Sequence, residues 1–252
     1  MQAYGHTQPI ARRARVGAAS IYYETHGSGA PLVLLHGFSG STRWWGRNVA
    51  ALARQFQVYI PDLAGFGQSR SAVPFELADA ARHVARWMDQ AGLERASMVG
   101  HSMGGLIAAE LAADAPERVA RLVLVDSAGL GFDASDVPPV SELLPALRYL
   151  PTAFIPPLLG DMRRAGLRTL VRASRALATY DIRAKLAAIR APALIVWGRY
   201  DPMIPLAVGR ALARELPHAR LAVIDAAGHN PMWDQPAAFN RLLCQFLAHE
   251  PA

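Results

Sequence analysis

Cysteine and lysine are almost missing from this chain: Cys244 and Lys185 stand alone among 252 residues. A single thiol cannot close an intrachain disulfide, so no covalent framework is available and nothing asks for an oxidising compartment. Lys185 follows Ala184, which rules out a Gly-Lys-Ser/Thr phosphate loop. No run reaches the roughly 18 uninterrupted apolar residues of a membrane-spanning helix. Met1 to Arg15 carry charge with no apolar segment behind them, so no cleaved signal is visible and the cytoplasm is the expected location. Internal repeats and low-complexity linkers are also missing. Charged residues make up only 18% of the chain against 52% hydrophobic, so burial can offset the entropy of ordering and disorder is excluded.

What is present is an alternation of short apolar runs with longer helical patterns. Strands are expected around Arg15 to Val16, Ile21 to Glu24, Pro31 to Leu35, Gln57 to Ile60, Ala96 to Val99, Leu122 to Val125, Ala193 to Trp197 and Ala219 to Ile224. Helices are expected at Thr42 to Arg54, Glu76 to Ala91, Gly105 to Ala113, Leu206 to Leu216 and Ala237 to Ala248. Strands and helices alternating in this way predict an α/β fold, a parallel sheet covered by helices on both faces. From about Ala128 to Ile189 the rhythm breaks, with no strand pattern and with Pro138, Pro139, Pro145, Pro151, Pro156 and Pro157. Proline interrupts helices, so this stretch reads as an insertion of short helices above the strand ends, where such sheets bind ligands. The expected division is a core of residues 1–127 and 190–252 with a helical lid of residues 128–189 between them.

The strand ending at Val99 runs through Gly100-His101-Ser102-Met103-Gly104-Gly105 directly into a helix. Glycines on both sides of Ser102 permit the sharp strand-to-helix turn that presents a nucleophilic hydroxyl at the top of a sheet. A serine nucleophile needs a base, and the base an orienting acid. His229, in Gly228-His229-Asn230-Pro231 after the last strand, is the candidate base on the same sheet edge. His26, His83, His218 and His249 fall in turns or on helix faces, and His6 lies in the N-terminal tail. His101 is beside Ser102 but is expected to point away from it, and His36 to shape its own loop. Two carboxylates at strand ends precede His229. Asp201 is favoured because its loop, Gly198-Arg199-Tyr200-Asp201-Pro202, is long enough to curl towards a histidine; Asp126 is the fallback. An oxyanion would need two N–H donors: Met103 after the nucleophile, and Phe38 in the His36-Gly37-Phe38-Ser39-Gly40 loop.

These segments, together with Asp62-Leu63-Ala64-Gly65-Phe66-Gly67-Gln68-Ser69, resemble the α/β-hydrolase superfamily in order and spacing, from about Arg15 to the C-terminus. The resemblance implies an eight-stranded, mostly parallel sheet and a Ser102, Asp201, His229 triad. It also implies an oxyanion hole at Phe38 and Met103, a small helical lid, and no cofactor or metal. A serine at the turn argues against haloalkane dehalogenases and epoxide hydrolases, which place aspartate there.

The expected activity is hydrolysis of small or medium acyl or aryl esters through an acyl-enzyme, with a small-molecule ester as the partner. Trp44, Trp45, Met203, Met232, Trp233 and Phe154 are candidate pocket residues, with Trp44 or Trp45 equally suited to the core. Leu143, Leu144, Leu147, Tyr149, Ile155, Leu158 and Leu159 give the lid an apolar set. A carbon–carbon bond hydrolase of aromatic degradation resembles the chain in its Ser-Met-Gly-Gly run, but such enzymes commonly carry Trp after the histidine, where Asn230 stands here. A cofactor-free perhydrolase shares the triad, and a binding protein with a vestigial triad is a reading of another class.

The net charge of +6 has one source: residues 161–190 hold eight basic side chains and two acids, and the rest of the chain holds eighteen of each. Arg164, Arg168, Arg172 and Arg175 recur at helical spacing opposite Leu167, Leu170, Ser174 and Leu177, predicting an amphipathic helix with a basic face. The excess therefore marks the lid, either as a solvated face or as a surface for an anionic group, and no nucleic-acid partner is expected.

Overall fold

The computed structural model describes residues 9–130, 152–216 and 218–248. Its strands are β1 (Ile10–Val16), β2 (Ala19–His26), β3 (Ala30–Leu35), β4 (Phe56–Pro61), β5 (Arg70–Ser71), β6 (Ala96–His101), β7 (Val119–Val125), β8 (Ala193–Gly198) and β9 (Ala219–Ile224). Its helices are α1 (Val49–Leu52), α2 (Leu77–Gln90), α3 (Met103–Asp114), α4 (Ile155–Thr179), α5 (Arg183–Leu186), α6 (Leu206–Glu215), α7 (Pro231–Asp234) and α8 (Pro236–Ala248).

Side chains alternate between the two faces of a strand, so a strand covered on both sides must be apolar throughout. In β3, Leu32 and Leu34 enter one core while Val33 and Leu35 enter the other, and none has measurable exposure. Likewise Leu122, Leu124, Ile195 and Trp197 face one side of β7 and β8, and Val123, Val125, Leu194 and Val196 the other. Helices α2, α3 and α6 cover the first face through Trp87, Ile107 and Leu212; α1 and α8 cover the second through Leu52, Phe239 and Phe246. The strand order is β1-β2-β4-β3-β6-β7-β8-β9, with β5 paired to β2 off that path. Pairs from β4 to β9 are parallel, and those involving β1, β2 and β5 are antiparallel. The expected eight-stranded, mostly parallel sheet is thus present, with β5 as a two-residue addition.

Several boundaries differ from the sequence expectation for physical reasons. The helix expected at Thr42 to Arg54 is a 3-10 turn, Thr42–Trp45, followed by α1. Between them the buried Asn48 side-chain amide donates to the Met232 carbonyl (3.1 Å) and to Asn240 (2.8 Å), so this stretch is tied down by side-chain bonds. Strand β1 starts well before Arg15 because pairing with β2 carries it, although residues 10–13 are exposed and show no apolar pattern.

Between β7 and β8 the described residues form the 3-10 turn Thr152–Phe154, α4, which Gly166 divides into two helices, and the short α5. Pro156 and Pro157 sit in the first turn of α4, where a missing N–H costs nothing. Gly166, at φ 75°, ψ 154°, breaks the helix and resets its phase. Of the expected apolar face, Leu170 and Leu177 pack against the first core beside the buried Ala173, with Arg168, Arg172 and Arg175 exposed as expected, whereas Leu167, next to the break, is 78% exposed; before the break the buried positions are Asp161 and Ala165. Four of the eight basic residues are paired: Arg164 faces Asp161, Arg172 faces Glu76, Arg183 faces Asp181, and Lys185 reaches Glu110 and Asp114. Leu143, Leu144, Leu147 and Tyr149, with Pro138, Pro139, Pro145 and Pro151, lie outside the described residues.

Trp197 links the core to the loop that follows β8: its ring has no exposure and its Nε1 donates to the Ile204 carbonyl at 3.0 Å. Trp197→Ala is expected to cost about 3–5 kcal/mol in urea unfolding, the usual range for a buried tryptophan. A loss below about 1 kcal/mol would show that the ring does not hold this loop.

Candidate active site

Strand β6 is followed by a residue in a conformation that L-amino acids adopt only under strain: Ser102 lies at φ 51°, ψ −117°. The turn is held from both sides. The Ser102 N–H donates to the Val125 carbonyl at 2.9 Å, extending the β6–β7 ladder, and its carbonyl accepts from Gly105 and Leu106 to start α3. Helix α3 then comes down on β3, where a Cβ on Gly104 would lie 2.5 Å from the carbonyl oxygens of Leu35 and His36. Only glycine fits there. The loop after β3 closes in equally: a Cβ on Gly37 would be 3.1 Å from the Ser102 Cβ and 2.7 Å from His101 Nδ1. Two backbone donors result. Met103 opens α3, so its N–H has no intrahelical acceptor, and neither it nor the Phe38 N–H has a hydrogen-bond partner among the described residues.

The loops after β8 and β9 bring the acid and base together. Asp201 Oδ2 accepts from His229 Nδ1 at 2.7 Å, with the carboxylate fully covered and the imidazole 10% exposed. Asp201 Oδ1 accepts from the backbone N–H groups of Met203 (2.7 Å) and Ile204 (3.0 Å), which fixes the carboxylate from behind. Tyr200 N–H to the Ala227 carbonyl (3.0 Å) fastens one loop to the other. With its proton on Nδ1 facing a carboxylate, His229 keeps the Nε2 lone pair as its basic site.

Asp126, the fallback acid, ends β7 at φ 40° and is fully buried. Its Oδ1 accepts from the Gly198 N–H at 2.9 Å. One ligand-type atom from each of Asp126, Asp201 and His229 falls within 4.8 Å of the others, so both carboxylates are in the cluster but Asp201 is the one bonded to His229. The trio has metal-ligand residue types, yet backbone N–H groups and the imidazole already occupy both oxygens of Asp201 and one of Asp126. Burial, and then the charge of Asp201, push the Asp126 carboxyl well above the ordinary carboxylate range.

Two further histidines brace the site. His101 Nε2 donates to the His229 carbonyl at 2.7 Å, and its ring lies 4.8 Å from that of His229 and 5.7 Å from Trp44. Burial holds its imidazole neutral, well below the usual histidine range. His36 Nδ1 donates to the Gly37 carbonyl (2.8 Å) while its Nε2 accepts from the Leu63 N–H (3.0 Å), so it shapes the loop that carries Phe38.

Of the candidate pocket residues, Trp44, Phe154 and Trp233 pack together as an aromatic wall at the edge of the second core: Trp44 and Phe154, 4% and 5% exposed, meet edge-on at 4.8 Å, and Phe154 and the half-buried Trp233 at 5.0 Å. Trp45 and Met232 are a correction to the sequence expectation. Both have no measurable exposure and lie in the second core, Trp45 tilted against Phe239, so neither offers surface to a ligand. Met203 is 66% exposed at the rim of the Asp201 loop. Asp161 of α4, which no motif singles out, is fully buried and accepts from Ser41 Oγ (2.8 Å), Trp44 Nε1 (3.2 Å) and Arg43 (2.5 Å). It fastens α4 to the Phe38 loop and the aromatic wall.

His36 gives the site a pH signature. Burial lowers its pKa from 6.5 to about 4, so its contribution to stability is complete above pH 6.5 and is lost as pH falls through 4. Wild type is expected to lose roughly 3 kcal/mol more than His36→Gln between pH 6.5 and pH 4 in denaturant titrations. A difference that stays flat over that interval would contradict a buried, neutral His36.

Comparison with known proteins converges on one family. Residues 32–242 match the model of the alpha/beta hydrolase family. The chain is 33% identical to a putative carbamate hydrolase RutD of Azorhizobium caulinodans, over 92% of this chain and 97% of that protein. It is 35% identical to a 2-hydroxy-6-oxononadienedioate/2-hydroxy-6-oxononatrienedioate hydrolase of Burkholderia vietnamiensis, over 90% of each. The crystal structure of the enol-lactonase of Burkholderia xenovorans superposes with a TM-score of 0.78 at 25% identity, covering 94% of this chain and 100% of that one. With the family model spanning most of its length, this chain belongs to the alpha/beta hydrolase family and is a hydrolase.

Proposed function

We propose that the chain is a serine hydrolase of carboxylic esters with small or medium acyl or aryl groups, working through Ser102, His229 and Asp201. The observation that carries this reading is the 2.7 Å Asp201–His229 bond on the same sheet edge as a strained, glycine-flanked Ser102. Ser102 Oγ attacks the carbonyl carbon while His229 Nε2 takes its proton; Asp201 holds the imidazole and offsets the charge that forms on it. The oxyanion is met by the N–H groups of Phe38 and Met103. His229 passes its proton to the departing alcohol, then activates the water that releases the acid.

Trp44, Phe154 and Trp233 would bound the acyl or aryl group. Residues 128–189 would serve as the lid, with α4 held against the core through Asp161. A neutral substrate fits the committed state of the nearby cations: Arg43 is paired with Asp161, and Arg47 lies 4.6 Å above the Trp233 ring while donating to its carbonyl. No helix among the described residues is long and apolar enough to cross a membrane.

The relatives named as hydrolases of 2-hydroxy-6-oxo dienoates favour a second reading, hydrolysis of a carbon–carbon bond in a vinylogous diketo acid at the same site. Asn230 after His229 and the paired arginines weigh against it. p-Nitrophenyl acetate and butyrate, assayed beside a vinylogous diketo acid, separate the two. Esters are expected to be turned over at least about tenfold faster in kcat/KM; the reverse ranking would move the function to carbon–carbon cleavage. Ser102→Ala should abolish turnover, and Asp201→Asn should lower kcat by about 10⁴. Full activity in either variant would remove that residue from the mechanism.

A further inference from the structure

The acyl-transfer reading leaves one buried carboxyl unused. Asp126 has no measurable exposure, and of its two oxygens only Oδ1 meets a donor, the Gly198 N–H; Oδ2 is buried with no donor near it. Asp201 next to it has its oxygens filled by three donors: two backbone N–H groups and His229. Two ionised carboxylates cannot sit this close in a covered site, so one must keep a proton. The donors decide which. Three N–H groups aimed at Asp201 favour its charged form, whereas Asp126 has one donor and an oxygen with nothing to accept from.

We propose that Asp126 is a positioning residue, a neutral carboxylic acid whose Oδ2–H donates to the Asp201 carboxylate and steadies it on His229. This rests on the proposed triad. The groups facing Asp126 agree with it: the charges of Asp201, from the loop after β8, and Asp234, from α7, disfavour its ionised form, and His229 lies in the same cluster. Asp234 is itself pushed up to about 6 by burial, with Oδ2 accepting from the Gly228 N–H. Burial and the Asp201 charge raise the Asp126 pKa in the direction the arrangement requires. The added donor shares the charge of Asp201, so its loss would leave more of that charge facing His229.

The test uses the full chain with Asp126→Asn and Asp126→Ala, reading kcat/KM for p-nitrophenyl butyrate from about pH 5 to 9. Asparagine keeps both the acceptor for Gly198 and a donor for Asp201, so Asp126→Asn should hold kcat/KM within about threefold with its acid limb unmoved. Alanine removes the donor, so the acid limb should rise by about half a pH unit or more and the rate fall about tenfold. If Asp126→Asn loses as much as Asp201→Asn, Asp126 is ionised and acts as the acid; if Asp126→Ala matches wild type in rate and limb, it has no positioning role. Either result overturns the proposal. Infrared spectroscopy at neutral pH supplies a readout that needs neither activity nor the alanine variant. Wild type should show the carbonyl stretch of a buried protonated carboxyl that Asp126→Asn lacks, and no such band overturns the proposal. A Ser102→Ala variant with full activity would instead overturn the triad while leaving the infrared result standing.

Discussion

The close approach of helix α3 to strand β3 is the constraint from which the site follows. Gly104 packs against the carbonyls of Leu35 and His36, and no side chain fits between them. Because the helix starts that low, the chain leaving β6 must reverse within one residue, and Ser102 takes the left-handed conformation that makes this possible. The same approach brings the Gly37 backbone against Ser102. The strain at Ser102 is supported by sheet and helix hydrogen bonds on both flanks, and the fully buried strands beneath them do not yield.

Above this scaffold the site is a set of buried polar groups, each held by another. His36 locks the Phe38 loop, His101 the His229 backbone, and Asp201 the His229 ring. Burial keeps both supporting histidines uncharged, so they act as directional hydrogen-bond groups and add no positive charge to repel a protonated His229. Asp161 extends the same logic outward by joining α4 to the loop and to Trp44.

Much of the architecture was legible because parallel strands buried on both faces write continuous apolar runs, and because the Ser102 turn needs glycines at fixed places. The choice between Asp126 and Asp201 was open for a physical reason: both end strands, and only the path of the loop after β8 decides which reaches His229. Sequence neighbours of the site misled where backbone turns away from it. Trp45 and Met232 flank functional loops yet point into the second core. The basic face of the lid helix was legible from its spacing, but the break at Gly166, which leaves Leu167 exposed, was not, because no count of i to i+4 spacing registers a single left-handed glycine. Asp161 and the His101 brace had no signal at all, since an acid in a basic helix and a histidine beside a serine acquire meaning only from partners more than a hundred residues away.

The central claim is that Ser102 is a nucleophile activated by His229. A fluorophosphonate reacts only with an activated serine, so intact-protein and peptide mass spectrometry after labelling tests the claim without knowledge of the natural substrate. The account predicts one adduct per chain, on the peptide containing Ser102, formed at neutral pH and lost in His229→Ala. Labelling at another residue, or none in protein that still hydrolyses its substrate, would contradict it.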